Sequence, residues 1–367
     1  MTKFFELAPI RYKESLDPYN FIKKMNWIST NYVIWPIQEA IKLGFETKII
    51  LHSNTRKKIN YKGIIFESFK TLKIRDMLFS PQIVKYVLKE KPDFIYLHNG
   101  MWTNWAILKL VNKSKKIIMP HYIPHSTFSG KFFFNFFEKK MFNYADIVIV
   151  LSEWEKNIFS NFVDEKKIRV LPHPIDLSKI KIKNDEKKNN EIIITSVCAI
   201  IRSKGLHFLA KIWNKLEKKY KIKWLIAGQI LDKNYYNELL YLTKNSKNVI
   251  FLGYKNKKEI EEILSKTDIF VHTSYGECFG LSMLEAQAHG IPVISTNSRA
   301  IPYIISPKNY LIQLGNIKQL ENYLSVLIEN EKLRKEIGKY NIEFVKKFDY
   351  ENIRKNFIKI IDELNES

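Results

Sequence analysis

Glu277 and Glu285 stand eight positions apart in the stretch GECFGLSMLEAQAHGIPVIS, residues 276–295. Gly280 lies between them, and Leu281, Leu284 and Ala288 follow at helical spacing. Gly290 and Pro292 give that helix an end. Before the pair, DIFVHTS reads as a strand ending near His272. A loop from the carboxyl end of a parallel strand to a helix start is where open α/β sheets bind ligands. The free N–H groups of a helix start attract phosphate, and a glycine there lets a ligand approach the backbone. Carboxylates repel phosphate but accept hydrogen bonds from hydroxyls on two oxygens. The arrangement therefore suits a molecule with a diphosphate centre and hydroxylated ends, as a nucleotide-sugar has. The same two residues also read as a surface loop acid and a first-turn acid favoured by the helix dipole, and both readings stand at this point.

The elements that must position such a loop alternate along the chain. KFFEL, TKIIL, DFIYL, KIIM and DIVIVL read as buried parallel strands, with helical patterns at 33–43, 81–89 and 101–111 between them. The rhythm then repeats. EIIITSV, KWLIAG, NVIFLG, DIFVHTS and PVISTN read as strands, separated by helices near 206–218, 235–244 and 257–265. Strand–helix alternation twice over predicts two doubly wound α/β domains. VLPHPIDLSKIKIKNDEKKNNE, with two prolines and then a charged, asparagine-rich run, reads as the linker. The expected division is an N-terminal domain over 1–175, completed by a C-terminal helix at 350–367, and a second domain over 176–349.

A length of 367 residues suits two domains, and 46% hydrophobic residues suffice for two cores. The two cysteines, Cys198 and Cys278, set no disulfide framework and point to a reducing compartment. No long apolar region marks the N-terminus as a secretory signal. No apolar run approaches the ~20 residues of a spanning helix. The expected location is therefore cytoplasmic. The net charge of +22 rests on lysine, since only 8 of 60 basic residues are arginine. Scattered lysines mark solvated faces first and anionic membrane or phosphate-bearing partners second. Scarce arginine argues against nucleic acid.

The stretch around the two acids resembles the glutamate-x7-glutamate motif of glycosyltransferase family 4, a retaining family with the GT-B fold. Glu277, Phe279, Gly280, Leu281, Leu284, Glu285, Ala286, Ala288, Gly290, Pro292, Val293 and Ile294 carry the resemblance. It extends to NVIFLGY, which contains Tyr254, and to VLPHPIDL, ADIVIVLSEWEKN and PDFIYLHN. The resemblance implies two facing Rossmann-like domains with the active site in the cleft between them. It implies that Glu277 contacts donor-sugar hydroxyls and that Glu285 holds the ribose. The backbone at Phe279, Gly280 and Leu281 would face the diphosphate, with Tyr254 also on the donor side. Lys204, in a Lys-Gly pair, matches the lysine that meets the leaving diphosphate. The family's glycine-arginine positions fall instead on Cys198 and Ala199, so Arg202 is expected to supply that charge. His121, in IIMPHYIPH, is expected to line the donor-sugar pocket, with His125 as its stand-in. His98 and His173 are expected to be structural.

The sequence also departs from the family. Ser29, Thr30 and Asn31 stand where a glycine-rich loop is usual. Arg299 and Ala300 replace two common glycines, and Tyr303 replaces a common glutamate. There is no Asp-x-Asp pair, which fits a reaction needing no metal or other cofactor, with the helix dipole and basic side chains opposite the diphosphate. Phe132–Phe137, interrupted by Asn135 and flanked by Lys131, Lys139 and Lys140, reads either as a membrane-surface element or as a buried helix. The expected function is retaining transfer of a hexose-type sugar from a nucleotide-sugar to a glycan or lipid-linked acceptor, in cell-surface polysaccharide or glycolipid synthesis. A peripheral position on the inner membrane face would suit it. A nucleotide-sugar epimerase on the same scaffold is the enzyme rival, and a lysine-rich polyanion-binding protein with an inactive site is the non-enzyme rival.

Overall fold

A computed structural model describes residues 1–8, 35–61, 63–74, 77–98, 102–120, 139–180 and 191–366. The chain divides into two units, Met1–Pro172 with Arg354–Ser367, and His173–Ile353.

The first unit is built on strands β1 (Lys3–Leu7), β2 (Glu46–Ser53), β3 (Lys57–Tyr61), β4 (Ile64–Lys70), β7 (Phe94–His98), β8 (Lys115–Met119), β9 (Ile147–Val150) and β10 (Ile168–Val170). A small antiparallel pair, β5 (Leu72–Ile74) and β6 (Met77–Phe79), stands apart. Among the described residues the main sheet runs β10-β9-β8-β7-β1-β2-β4-β3. All its pairings are parallel except β3 with β4. Every residue of β7 and β9 is buried, as strands covered by helices on both faces require. The β3–β4 hairpin is absent from the sequence reading. It adds an antiparallel edge to a sheet that is otherwise wound by crossovers.

The C-terminal helix Tyr350–Glu366 supplies part of this unit's core. Phe357 is fully buried, with its ring 5.0 Å from Trp35 and 6.4 Å from both Phe4 and Tyr96. Arg354 pairs with the buried carboxylate of Glu39, which also receives Lys42 at 2.7 Å.

The second unit holds β11 (Ile192–Val197), β12 (Ile222–Ala227), β13 (Val249–Gly253), β14 (Ile269–His272), β15 (Val293–Thr296) and β16 (Tyr310–Ile312). They form one parallel sheet in the order β13-β12-β11-β14-β15-β16. The chain winds outward from β11 to β13, then returns to the other side of β11 to lay down β14. That reversal is a topological switch point, and the loops leaving β11 and β14 diverge there to open a crevice at the strands' carboxyl ends. The helix His207–Lys219 turns Leu209, Trp213 and Leu216 inward, and Trp213 packs on Trp224 of β12 with ring centroids 5.6 Å apart.

Candidate active site

The two loops of the switch point are fastened to each other. After β11 the chain makes a 3-10 turn, Arg202–Lys204, that ends at Gly205 in the left-handed region with φ 66°. A Cβ on Gly205 would lie 2.0 Å from the carbonyl oxygen of Thr273, so only glycine fits this approach of backbone to backbone. Thr273 Oγ1 donates to the Gly205 carbonyl at 2.9 Å, and Ser274 Oγ donates to the Ser203 carbonyl at 3.1 Å. The Tyr275 amide donates to the same Ser203 oxygen at 2.9 Å.

This fastening brings Lys204 to Glu277. Lys204 Nζ lies 2.6 Å from Glu277 Oε1, and His272 Nε2 lies 2.8 Å from that same oxygen. Among the described residues Glu277 Oε2 has no hydrogen-bond partner and remains open to accept from a ligand. Burial opposes the charge on Glu277, but His272 and Lys204 outweigh it and hold the carboxyl well below the usual carboxylate range. Glu277 is thus an anion at neutral pH. His272 is 3% exposed, and its Nδ1 is buried without a hydrogen-bond partner.

The helix Leu281–Ala288 starts at Gly280, whose φ of 86° lies in the left-handed region and which offers no side-chain cap. Its first turn therefore presents uncapped N–H groups. Phe279 is buried, with its ring edge-on to His173 at 5.4 Å and to Phe348 at 5.9 Å. Its side chain belongs to the core, so only its backbone is available to a ligand. Gly280 and Leu281 are half-buried. Glu285 lies one turn further in and makes no side-chain hydrogen bond among the described residues. Burial pushes its carboxyl up to about 7; Lys257 pulls it down, the Glu261 charge adds to the rise, and His289 lowers it.

Other expected residues fall elsewhere. Arg202 is exposed and pairs with Glu238, with its guanidinium 5.1 Å from the Tyr235 ring centroid. Tyr254 is 47% exposed and follows edge strand β13, three strands from β14. His98 is fully buried with Nε2 2.7 Å from Glu6 Oε1, and His173 is buried against Phe279. His121, His125, Ser29–Asn31, Lys131 and the phenylalanine cluster lie outside the described residues. His272 had no role in the sequence reading; its one signal was a histidine at a strand end five residues before Glu277.

Two family models divide most of the chain. "Glycosyltransferase Family 4" matches residues 37–179, and "Glycosyl transferases group 1" matches residues 178–344. Sucrose-phosphate synthase from Thermosynechococcus elongatus superposes with a TM-score of 0.78 at 17% identity, over 99% of both chains. The chain belongs to the GT-B glycosyltransferases. This glycosyltransferase is also similar to Anabaena HepE, solved in complex with UDP and glucose. The TM-score is 0.75 at 16% identity, over 99% of this chain and 100% of that one. Among curated relatives it is 29% identical over 215 residues to the capsular polysaccharide biosynthesis glycosyltransferase CapM of Staphylococcus aureus, covering 54% of this chain and 56% of CapM. The chain spans 56%, 60% and 65% of the lengths of three curated relatives that it matches.

Proposed function

We propose that this glycosyltransferase transfers a sugar from a nucleotide-sugar to a glycan or lipid-linked acceptor, with retention of anomeric configuration, in cell-surface polysaccharide or glycolipid assembly. The observation that carries the reading is the Lys204–Glu277–His272 cluster at the switch point, beside the uncapped start of the helix that bears Glu285. Glu277 Oε2 accepts from a donor-sugar hydroxyl. Lys204 and the N–H groups at Gly280 and Leu281 face the diphosphate and stabilise the charge that develops as it leaves. Glu285 accepts from the ribose. The leaving phosphate takes the acceptor's proton on the same face of the sugar. In this reading the positive charge comes from side chains and the helix start, without a metal ion. HepE's complex with UDP makes the uridine nucleotide the first candidate, and CapM's role makes a capsule-type glycan the first acceptor. No described helix is long and apolar enough to cross a membrane, and a peripheral position through Lys139, Lys140 and the neighbouring phenylalanines accompanies a lipid-linked acceptor.

Thermal unfolding with UDP, GDP and ADP tests this directly. A ligand at ~100 times its dissociation constant adds about 2.7 kcal/mol of stability. The reading fails if no nucleoside diphosphate raises Tm. NMR of the product's anomeric centre tests retention.

Glu285 adds a pH signature. The native carboxyl titrates near 7, above its unfolded range, so the native state keeps a proton that the unfolded chain sheds between about 4.3 and 7. Glu285's contribution to stability therefore falls as pH rises through that window, while its capacity to accept from a ribose rises. Nucleoside diphosphate affinity is expected to climb from pH 6 to 8. Glu285→Ala should weaken it by about 1.5–3 kcal/mol at pH 8 and flatten the climb. Unchanged calorimetric affinity at pH 8 would remove Glu285 from the ribose.

A further inference from the structure

Arg299 is held in an unusual way for a surface arginine. Its φ is 53°, in the left-handed region that L side chains adopt at a cost. Lys91, at a helix end, is the other non-glycine residue with positive φ among those described. The side chain of Arg299 lies across Gly276, where a Cβ would sit 2.3 Å from its Cδ and 2.7 Å from its Nε. Its backbone is tied to Glu277 by a parallel bridge, and the Ala300 amide donates to the Glu277 carbonyl at 3.4 Å. Hydroxyls fix the loop that carries it. Ser295 Oγ donates to the His272 carbonyl at 2.6 Å, Thr296 Oγ1 to Ser274 at 2.5 Å, and Ser298 Oγ to Tyr275 at 2.7 Å. Among the described residues the exposed guanidinium makes no hydrogen bond and no ion pair.

The acid whose backbone is bridged to Arg299 already has cationic and imidazole partners on one oxygen. Glu277 is held by Lys204 and His272. Arg202 is committed to Glu238, and Ala199 carries no charge. Arg299 thus combines a left-handed backbone bridged to that of Glu277, a side chain laid over Gly276 and an exposed guanidinium without a partner among the described residues.

The geometry points to Arg299 as a donor-binding residue whose guanidinium takes an anionic oxygen of the nucleotide-sugar. This rests on the reading above. The oxygen belongs either to the diphosphate or to a carboxylate on the sugar, since a guanidinium fork matches both.

The test compares wild type, Arg299→Gly and Arg299→Lys. Glycine relaxes the left-handed backbone, so that variant should melt no lower than wild type. UDP affinity is measured by calorimetry, and turnover is compared with UDP-glucose and UDP-glucuronate. A loss of roughly ten- to a hundredfold in UDP affinity in Arg299→Gly, partly restored in Arg299→Lys, supports the diphosphate. Unchanged UDP affinity with a tenfold or greater loss of preference for UDP-glucuronate over UDP-glucose supports the sugar carboxylate. Equal affinity and equal preference in wild type and Arg299→Gly overturn the assignment while leaving the transferase reading intact. Failure of the wild type to bind UDP, GDP or ADP overturns both.

Discussion

Lys204→Ala will slow sugar transfer by roughly a hundredfold or more, about 3 kcal/mol in the barrier. The diphosphate gains negative charge as it leaves, and a positive group already in place stabilises that state more than the ground state. Lys204 is held on the turn after β11 by Gly205 and the Thr273 and Ser274 hydroxyls, so its position costs nothing at the moment of reaction. Its loss also removes one of the two donors that keep Glu277 ionised. Effects at the two residues should therefore be non-additive. The check is a double-mutant cycle of Lys204→Ala and Glu277→Gln read by single-turnover rates. A wild-type rate in Lys204→Ala would remove this residue from the reaction.

Glu277→Ala is expected to cut turnover by about a hundredfold while changing UDP affinity by less than about threefold. The expected magnitude is that of one charge-assisted contact to the sugar, a part that UDP lacks. Glu277→Gln should recover little, because its neutral amide no longer answers Lys204. The pH profile separates this carboxyl from Glu285. Glu277 lies well below the usual carboxylate range, so it contributes no inflection between pH 5 and 8. Its stabilising contribution is fully present above the unfolded carboxyl value of about 4.3 and is lost as pH falls below that value toward the native one. Glu277→Ala should accordingly show less acid-dependent destabilisation below pH 4 than wild type. If the substitution abolished UDP binding in a folded protein, the roles of the two glutamates would have to be exchanged.

The parallel strands were readable because their apolar runs are continuous: FIYLH and IVIV are buried throughout, as doubly covered strands must be. The helix after Gly280 was readable for a local reason as well, since a glycine before it and Gly290 after it bracket an apolar face. The hairpin of β3 and β4 was not. KKINY mixes exposed and half-buried positions, and its pairing is set by the neighbouring strand rather than by its own pattern. The site divides the same way. Glu277 and Glu285 announce themselves within one short stretch. The meeting of Lys204 with Glu277, 73 positions apart, exists only because the sheet places β11 beside β14. Nothing near Arg202 signals that Glu238 will claim it, and no local pattern marks Arg299 as left-handed.

The path of the chain also sets an order of assembly. Unit one is interrupted at Pro172 and resumes at Arg354. A ribosome adding about 5–20 residues per second needs roughly 10–35 s to make the intervening stretch. During that interval Trp35, Phe4 and Tyr96 lack the Phe357 ring that covers them, and Glu39 lacks Arg354. The nascent first unit is therefore born with an apolar seam, open while the second unit is still being made, that a chaperone or a neighbouring nascent chain can occupy. Closure comes from residues translated after the second unit, and removing the chain from residue 354 onward would make the seam permanent.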